Sequence, residues 1–87
     1  MQKFTDIPNV GPRMADDFKL LGLKIPNDLK KQNAFKMYLK IEKITGHRHD
    51  PCVLDTYMAV VDFANGAEAR PWWHYTPERK RMIKKLD

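Results

Sequence analysis

The 87-residue chain contains no serine and a single cysteine, Cys52. The first absence excludes a serine nucleophile. The second excludes an internal disulfide framework. No apolar run approaches the ~20 residues that cross a bilayer, and Met1-Gln2-Lys3-Phe4-Thr5-Asp6 offers no apolar signal-peptide core. No stretch alternates apolar and polar residues as a half-buried strand does, and no spaced set of carboxylates resembles a nuclease metal site. The expectation is therefore one soluble, cytoplasmic, all-α domain spanning residues 1–87. The chain is short for an enzyme with a closed pocket, so neither an enzyme nor a bound cofactor is expected.

Hydrophobic residues make up 43% of the chain, enough for a small helical core. The net charge is +5, with an isoelectric point near 9.5. The excess is uneven. Arg70, Arg79, Lys80, Arg81, Lys84 and Lys85 outweigh Glu78 and Asp87 at the C-terminal end. An asymmetric basic end suits a polyanion, most often nucleic acid. The same net charge is also ordinary for a soluble domain.

Turn and cap residues divide the chain into five to six short helices. Residues 4–7 read as a short first helix or an ordered lead. In Ile7-Pro8-Asn9-Val10-Gly11-Pro12-Arg13-Met14-Ala15, Asn9 and Gly11 both tolerate positive φ, and Pro12 sits at a helix start. The helix that follows places Met14, Phe18 and Leu21 on one face and ends at Gly22. A tight turn feeding a helix N-terminus gathers free N–H groups that suit an anion, phosphate included. Pro26 opens a short helix to about Lys31, with Ile25 a poor cap. Asn33 caps residues 34–45, closed by Gly46, with Lys36, Lys40 and Lys43 along its polar face. Asp50-Pro51 opens the most apolar helix, the expected centre of the fold, which ends at Asn65-Gly66. Residues 67–75 read as irregular. Thr76-Pro77-Glu78 caps a basic last helix over about 77–86.

Asp6 to Ala15, continued by Phe18-Lys19-Leu20-Leu21-Gly22, resembles a helix-hairpin-helix motif. Arg48-His49-Asp50-Pro51-Cys52-Val53-Leu54-Asp55-Thr56, Ala69-Arg70-Pro71-Trp72-Trp73 and Thr76-Pro77-Glu78-Arg79 bring the likeness closer. With them the whole chain resembles the small bacterial pathogenicity-locus family, sometimes named mitomycin-resistance proteins. It is similar in layout to the C-terminal domain of competence-regulator proteins. The resemblance implies a compact all-helical bundle built on the hairpin, at about residues 7–22, and binding to double-stranded DNA. It also implies that backbone N–H groups of the hairpin hold duplex phosphates without reading sequence, the hairpin being Pro8, Asn9, Val10 and Gly11, with Pro12 and Arg13 opening the next helix. The usual first hairpin glycine is Asn9 here.

The candidate DNA contacts are thus Asn9, Val10, Gly11, Arg13 and Lys19 around the hairpin, with Arg79, Lys80, Arg81, Lys84 and Lys85 on the last helix. Arg13 and Lys19 are expected to flank the turn, with Asp16 and Asp17 pointing away. Substituting Gly11 with valine is expected to distort the turn. His47, His49 and Cys52 are metal-ligand types, but one cysteine and three histidines fall short of an ordinary zinc set, and no metal is expected. Cys52 is a candidate reactive thiol, because a helix N-terminus and Arg48 favour thiolate; a buried, inert thiol is the plainer expectation. Trp72, Trp73 and Tyr75 are expected to close one end of the core, with Arg70 over an indole face. Were the indoles exposed, they would anchor a protein partner or homodimer, and the hairpin would then be structural.

Overall fold

The computed structural model describes residues 3–84, which form four α-helices and three 3-10 turns and contain no strand. Helix α1 is Pro12–Leu20, α2 is Ala34–Thr45, α3 is Pro51–Ala64 and α4 is Thr76–Lys84. The 3-10 turns are Phe4–Asp6, Pro26–Lys31 and Trp72–Tyr75. No helix among the described residues is long and apolar enough to cross a membrane.

Local chemistry sets most of these boundaries. The Asn33 side chain accepts from the Lys36 N–H at 3.1 Å and starts α2. Gly46, at φ 80°, ends it. Asp50 accepts from the Cys52 N–H at 3.1 Å, and Pro51 follows at the first helical position of α3. Helix α1 ends with the Leu23 N–H on the Phe18 carbonyl at 3.0 Å, across Gly22 at φ 88°. Ile25 is an unsuitable cap, and Asp28 compensates. Its carboxylate accepts from the N–H groups of Lys24 at 2.9 Å and Ile25 at 3.1 Å. Those two bonds hold the Asp28 carboxyl below the usual carboxylate range.

Helix α3 is the centre, as its composition predicts. Leu54, Tyr57, Met58, Ala59, Val60 and Ala64 are all buried, and the other elements pack around them. Phe18 of α1 is fully buried between Phe4, edge-on at 5.1 Å, and Tyr57, at 5.7 Å. This aromatic column ties the hairpin to the central helix. Val10, at the tip of the turn, is buried in the same core, so it anchors the hairpin and does not face a ligand. In place of the expected irregular segment, Trp72–Tyr75 form a 3-10 turn running directly into α4.

The buried charge of α3 is Asp55, which is fully covered. The Thr76 hydroxyl donates to Oδ2 at 2.7 Å, and Arg79 Nε donates to Oδ1 at 2.8 Å. A longer bond, 3.4 Å, runs from Arg79 Nη2 to Oδ2. Thr76 therefore bonds α3, where a cap of its own helix was expected. Arg79 is held the same way. Its side chain is 15% exposed, and Asp55 stabilises its charge, so it is a structural cation and not a surface one. Lys80, Arg81 and Lys84 are exposed; Lys85 lies outside the described residues.

Removing Arg79 strands a buried carboxylate. The Arg79→Ala variant is expected to lose about 3–5 kcal/mol of stability, read as a lower urea midpoint. Lys80→Ala, one residue away and exposed, should change stability by no more than about 0.5 kcal/mol.

Candidate nucleic-acid interface

The hairpin turn is built around Asn9, the one non-glycine residue at positive φ (73°) among the described residues. Asparagine enters the left-handed region more readily than most residues. Here its side chain has a further function: Nδ2 donates to the Arg70 carbonyl at 2.8 Å, fastening the turn to the segment that precedes the tryptophans. Gly11 differs from its expected role. It is the N-cap of α1 at φ −96° and ψ 178°, extended backbone open to any residue, and a Cβ there would meet nothing within 4 Å. The left-handed requirement falls on Asn9 alone.

Around this turn the Val10 N–H donates to the Ile7 carbonyl and the Ala15 N–H to the Gly11 carbonyl. The N–H groups of Gly11, Arg13 and Met14 have no backbone partner among the described residues, and Pro12 has none to offer. Three donors without a backbone partner thus stand at the start of α1. The helix macrodipole adds about half a positive charge at the same point.

The residues that carry these donors line a cleft of about 680 Å³, with Asn9, Gly11, Arg13 and Met14 on one side and His47, Arg48 and His49 on the other. The second wall comes from the loop between α2 and α3. The Tyr38 hydroxyl fastens it by donating to the His49 carbonyl at 2.6 Å. The His47 and His49 rings stack at 4.9 Å and 14°. Arg48 reaches Glu42 at 3.6 Å, but its side chain is 58% exposed. A pair of that kind contributes little, so Arg48 is available to a ligand. The loop is missing from the DNA contacts expected from sequence, because no local pattern shows that it folds against a turn more than thirty residues earlier. Asp17 and Asp50 also line the cleft. Asp17 was expected to point away; one turn after Arg13, it shares that residue's face of α1.

The remaining candidates are dispersed. Lys19 is exposed in the last turn of α1, about 9 Å along the axis from Arg13 at 1.5 Å per residue and on a different face, so it does not flank the turn. Nearby, Lys40 Nζ donates to the Leu21 carbonyl at 3.3 Å and helps close α1. Lys80, Arg81 and Lys84 are exposed on α4 but do not line the cleft. Among the described residues, no three His, Cys, Asp or Glu side chains converge to hold a metal.

Cys52 lies half-buried in the first turn of α3. Burial, followed by the hydrogen bond to Asp50, pushes its thiol up from the ordinary value. This opposes the thiolate expected at a helix N-terminus beside Arg48. The indoles depart from expectation as well. Trp72 is 37% and Trp73 61% exposed, edge to face at 5.5 Å. Tyr75, by contrast, is buried, its hydroxyl donating to Asp62 at 2.8 Å. Arg70 Nη1 meets the Tyr75 hydroxyl at 3.5 Å, and so takes a phenol where an indole face was expected.

A family model described as pathogenicity locus matches residues 1–81 of the chain. Mitomycin resistance protein McrB of Streptomyces lavendulae is 44% identical over 79 residues, which cover 91% of this chain and 75% of that protein. No solved structure matches.

Two outcomes follow from this geometry. Asn9→Ala should cost roughly 1 kcal/mol more stability than Asn9→Gly, because only the former places a Cβ at positive φ; paired thermal melts measure the gap. Alkylation of Cys52 by iodoacetamide in the folded protein should be slower at pH 8 than that of a free thiol and still climbing past pH 9, since a raised pKa leaves less thiolate at any given pH. A rate that plateaus below pH 8 would contradict this.

Proposed function

The chain belongs to the pathogenicity-locus family, and we propose that it is a DNA-binding module, not an enzyme, that grips duplex phosphates without reading base sequence. The observation that carries the proposal is the left-handed turn at Asn9, which presents the amides of Gly11, Arg13 and Met14 to one cleft between Arg13 and Arg48. Amides at a helix N-terminus satisfy phosphate oxygens, and the dipole favours their charge. Two exposed arginines at the rim add bidentate donors suited to the same group. Contacts of this kind position a duplex and carry no sequence information. Asp17 and Asp50, which line the same cleft, weaken that potential. Lys80, Arg81 and Lys84 act at longer range, through a field that salt screens within about 8–10 Å.

A second reading has one observation in its favour. The exposed indoles of Trp72 and Trp73 suit the anchor of a protein partner or a second copy of the chain. Sedimentation that depends on concentration, and loses that dependence in Trp73→Ala, would support it.

Duplex affinity should fall steeply with salt, each neutralised phosphate adding about 0.9 to the slope of log K against log salt. Arg13→Ala and Arg48→Ala should each flatten the slope by about that amount. Gly11→Val should weaken binding with its melting temperature unchanged, because valine accepts this backbone and adds bulk to the cleft that Gly11 lines. Failure of the folded protein to bind any duplex at low salt would sink the proposal.

A further inference from the structure

Trp72 and Trp73 sit in a 3-10 turn that is held from both ends. Pro71 precedes it with its ring-restricted φ, and the His74 N–H returns to the Pro71 carbonyl at 3.0 Å. Tyr75 closes it, buried and bonded to Asp62. The indoles are therefore exposed from a fixed base. Their edge-to-face contact at 85° leaves ring faces uncovered.

The position of the turn suggests what covers those faces. Arg70, whose carbonyl takes the Asn9 side chain, precedes Trp72 by two residues and Trp73 by three. At no more than about 3.5 Å per residue, the indoles lie within roughly 7 and 11 Å of chain from the point where the hairpin is fastened. Stacked nucleotides advance about 3.4 Å along a strand. Asn9 also lines the cleft, so a strand that leaves the hairpin amides past Asn9 toward Arg70 would carry its following bases toward the tryptophans.

In an intact duplex those bases expose only their edges, and an indole has no face to meet. In an unpaired segment every base offers one. A protein partner fits less well. Together the two side chains expose about the area of one tryptophan, roughly 250 Å², whereas a standard protein interface covers roughly 800 Å² on each side.

We propose that Trp72 and Trp73 form a stacking platform for unpaired bases beside the hairpin, so that the protein prefers DNA in which a single strand adjoins a duplex. The inference rests on the reading of the hairpin as a phosphate grip.

The test compares three ligands at one salt concentration: a blunt duplex, the same duplex with a short single-stranded overhang, and that duplex with an abasic overhang. The abasic ligand keeps the added phosphates and removes the faces. The wild type should favour the overhang over the blunt duplex by about tenfold or more. That advantage should vanish with the abasic overhang and in Trp73→Ala. Indole emission should be quenched by the overhang with bases and not by its abasic counterpart. A wild type that binds the blunt duplex with no overhang preference overturns the platform and leaves the hairpin grip standing. An abasic overhang as good as the natural one also overturns it. A wild type that binds none of the three overturns both. Self-association through Trp73, with no base-dependent preference, would replace the platform by a protein interface.

Discussion

The carboxylate of Asp55 is fully buried in the middle of the most apolar helix of the protein, and such a group persists only when its charge is answered. Thr76 and Arg79 answer it from the start of α4. That requirement fixes where α4 begins, how it lies on α3, and therefore where the chain must arrive before it. The Trp72–Tyr75 turn is the piece of chain delivered to that point. Tyr75 packs in the core beside the ion pair's helix, and its hydroxyl takes Asp62 two turns further along α3. The tryptophans face outward because both ends of their turn are bonded inward. An apolar residue at position 55 could have buried more cheaply, since buried ion pairs are often no more stable than hydrophobic replacements. What the pair supplies is a defined register between two helices. The apolar contacts of α4, limited to partly buried Met82 and Ile83, would specify that register poorly.

The same dependence reaches the hairpin. Arg70 lies one residue before Pro71, with its guanidinium on the Tyr75 hydroxyl and its carbonyl on the Asn9 side chain. A chain of bonds thus runs from α3 through Tyr75 and Arg70 to the turn that opens α1. Glycine at position 9 would have met the backbone requirement without making that bond. Asparagine meets both, and this is a physical reason for the departure from the usual hairpin. Its amide is engaged by the Arg70 carbonyl, and the backbone N–H groups of Gly11, Arg13 and Met14 have no backbone partner among the described residues.

How much of this is legible in the sequence depends on the distance over which each cause acts. Asn33, Gly46, Asp50-Pro51 and Gly22 act within a turn of their own position, and the helices they bound are found where those residues place them. The apolar circumference of residues 53–64 is likewise enough to mark the central helix. Asp55 carries no such signal: in a mostly apolar helix, a carboxylate reads as a solvent-facing residue, as Asp62 of the same helix is. Its partners lie 21 and 24 residues further on. Thr76 accordingly passed for a cap and Arg79 for a phosphate contact. Lys19 failed in a simpler way. Six residues along a helix is nearly two turns, and proximity in sequence to the hairpin is not proximity to its amides.

The candidate site shows the same division. Its first wall, the left-handed turn and helix start, is local chemistry and can be read from Asn9 to Met14. Its second wall is the loop carrying His47, Arg48 and His49, held by a Tyr38 hydroxyl eleven residues before His49. Those residues attracted attention as metal ligands because they are dense in the sequence. Folding gives them a different neighbour, the residues at the start of α1, with which they line one cleft. The exposure of the tryptophans follows from the same logic. Large aromatic side chains belong in a core unless something bonded more strongly has already fixed the backbone that carries them. Here Tyr75 and Thr76 fix it on the C-terminal side, through Asp62 and Asp55, and Arg70 fixes it on the N-terminal side, through Asn9. The indoles are therefore presented by constraint rather than by weak packing.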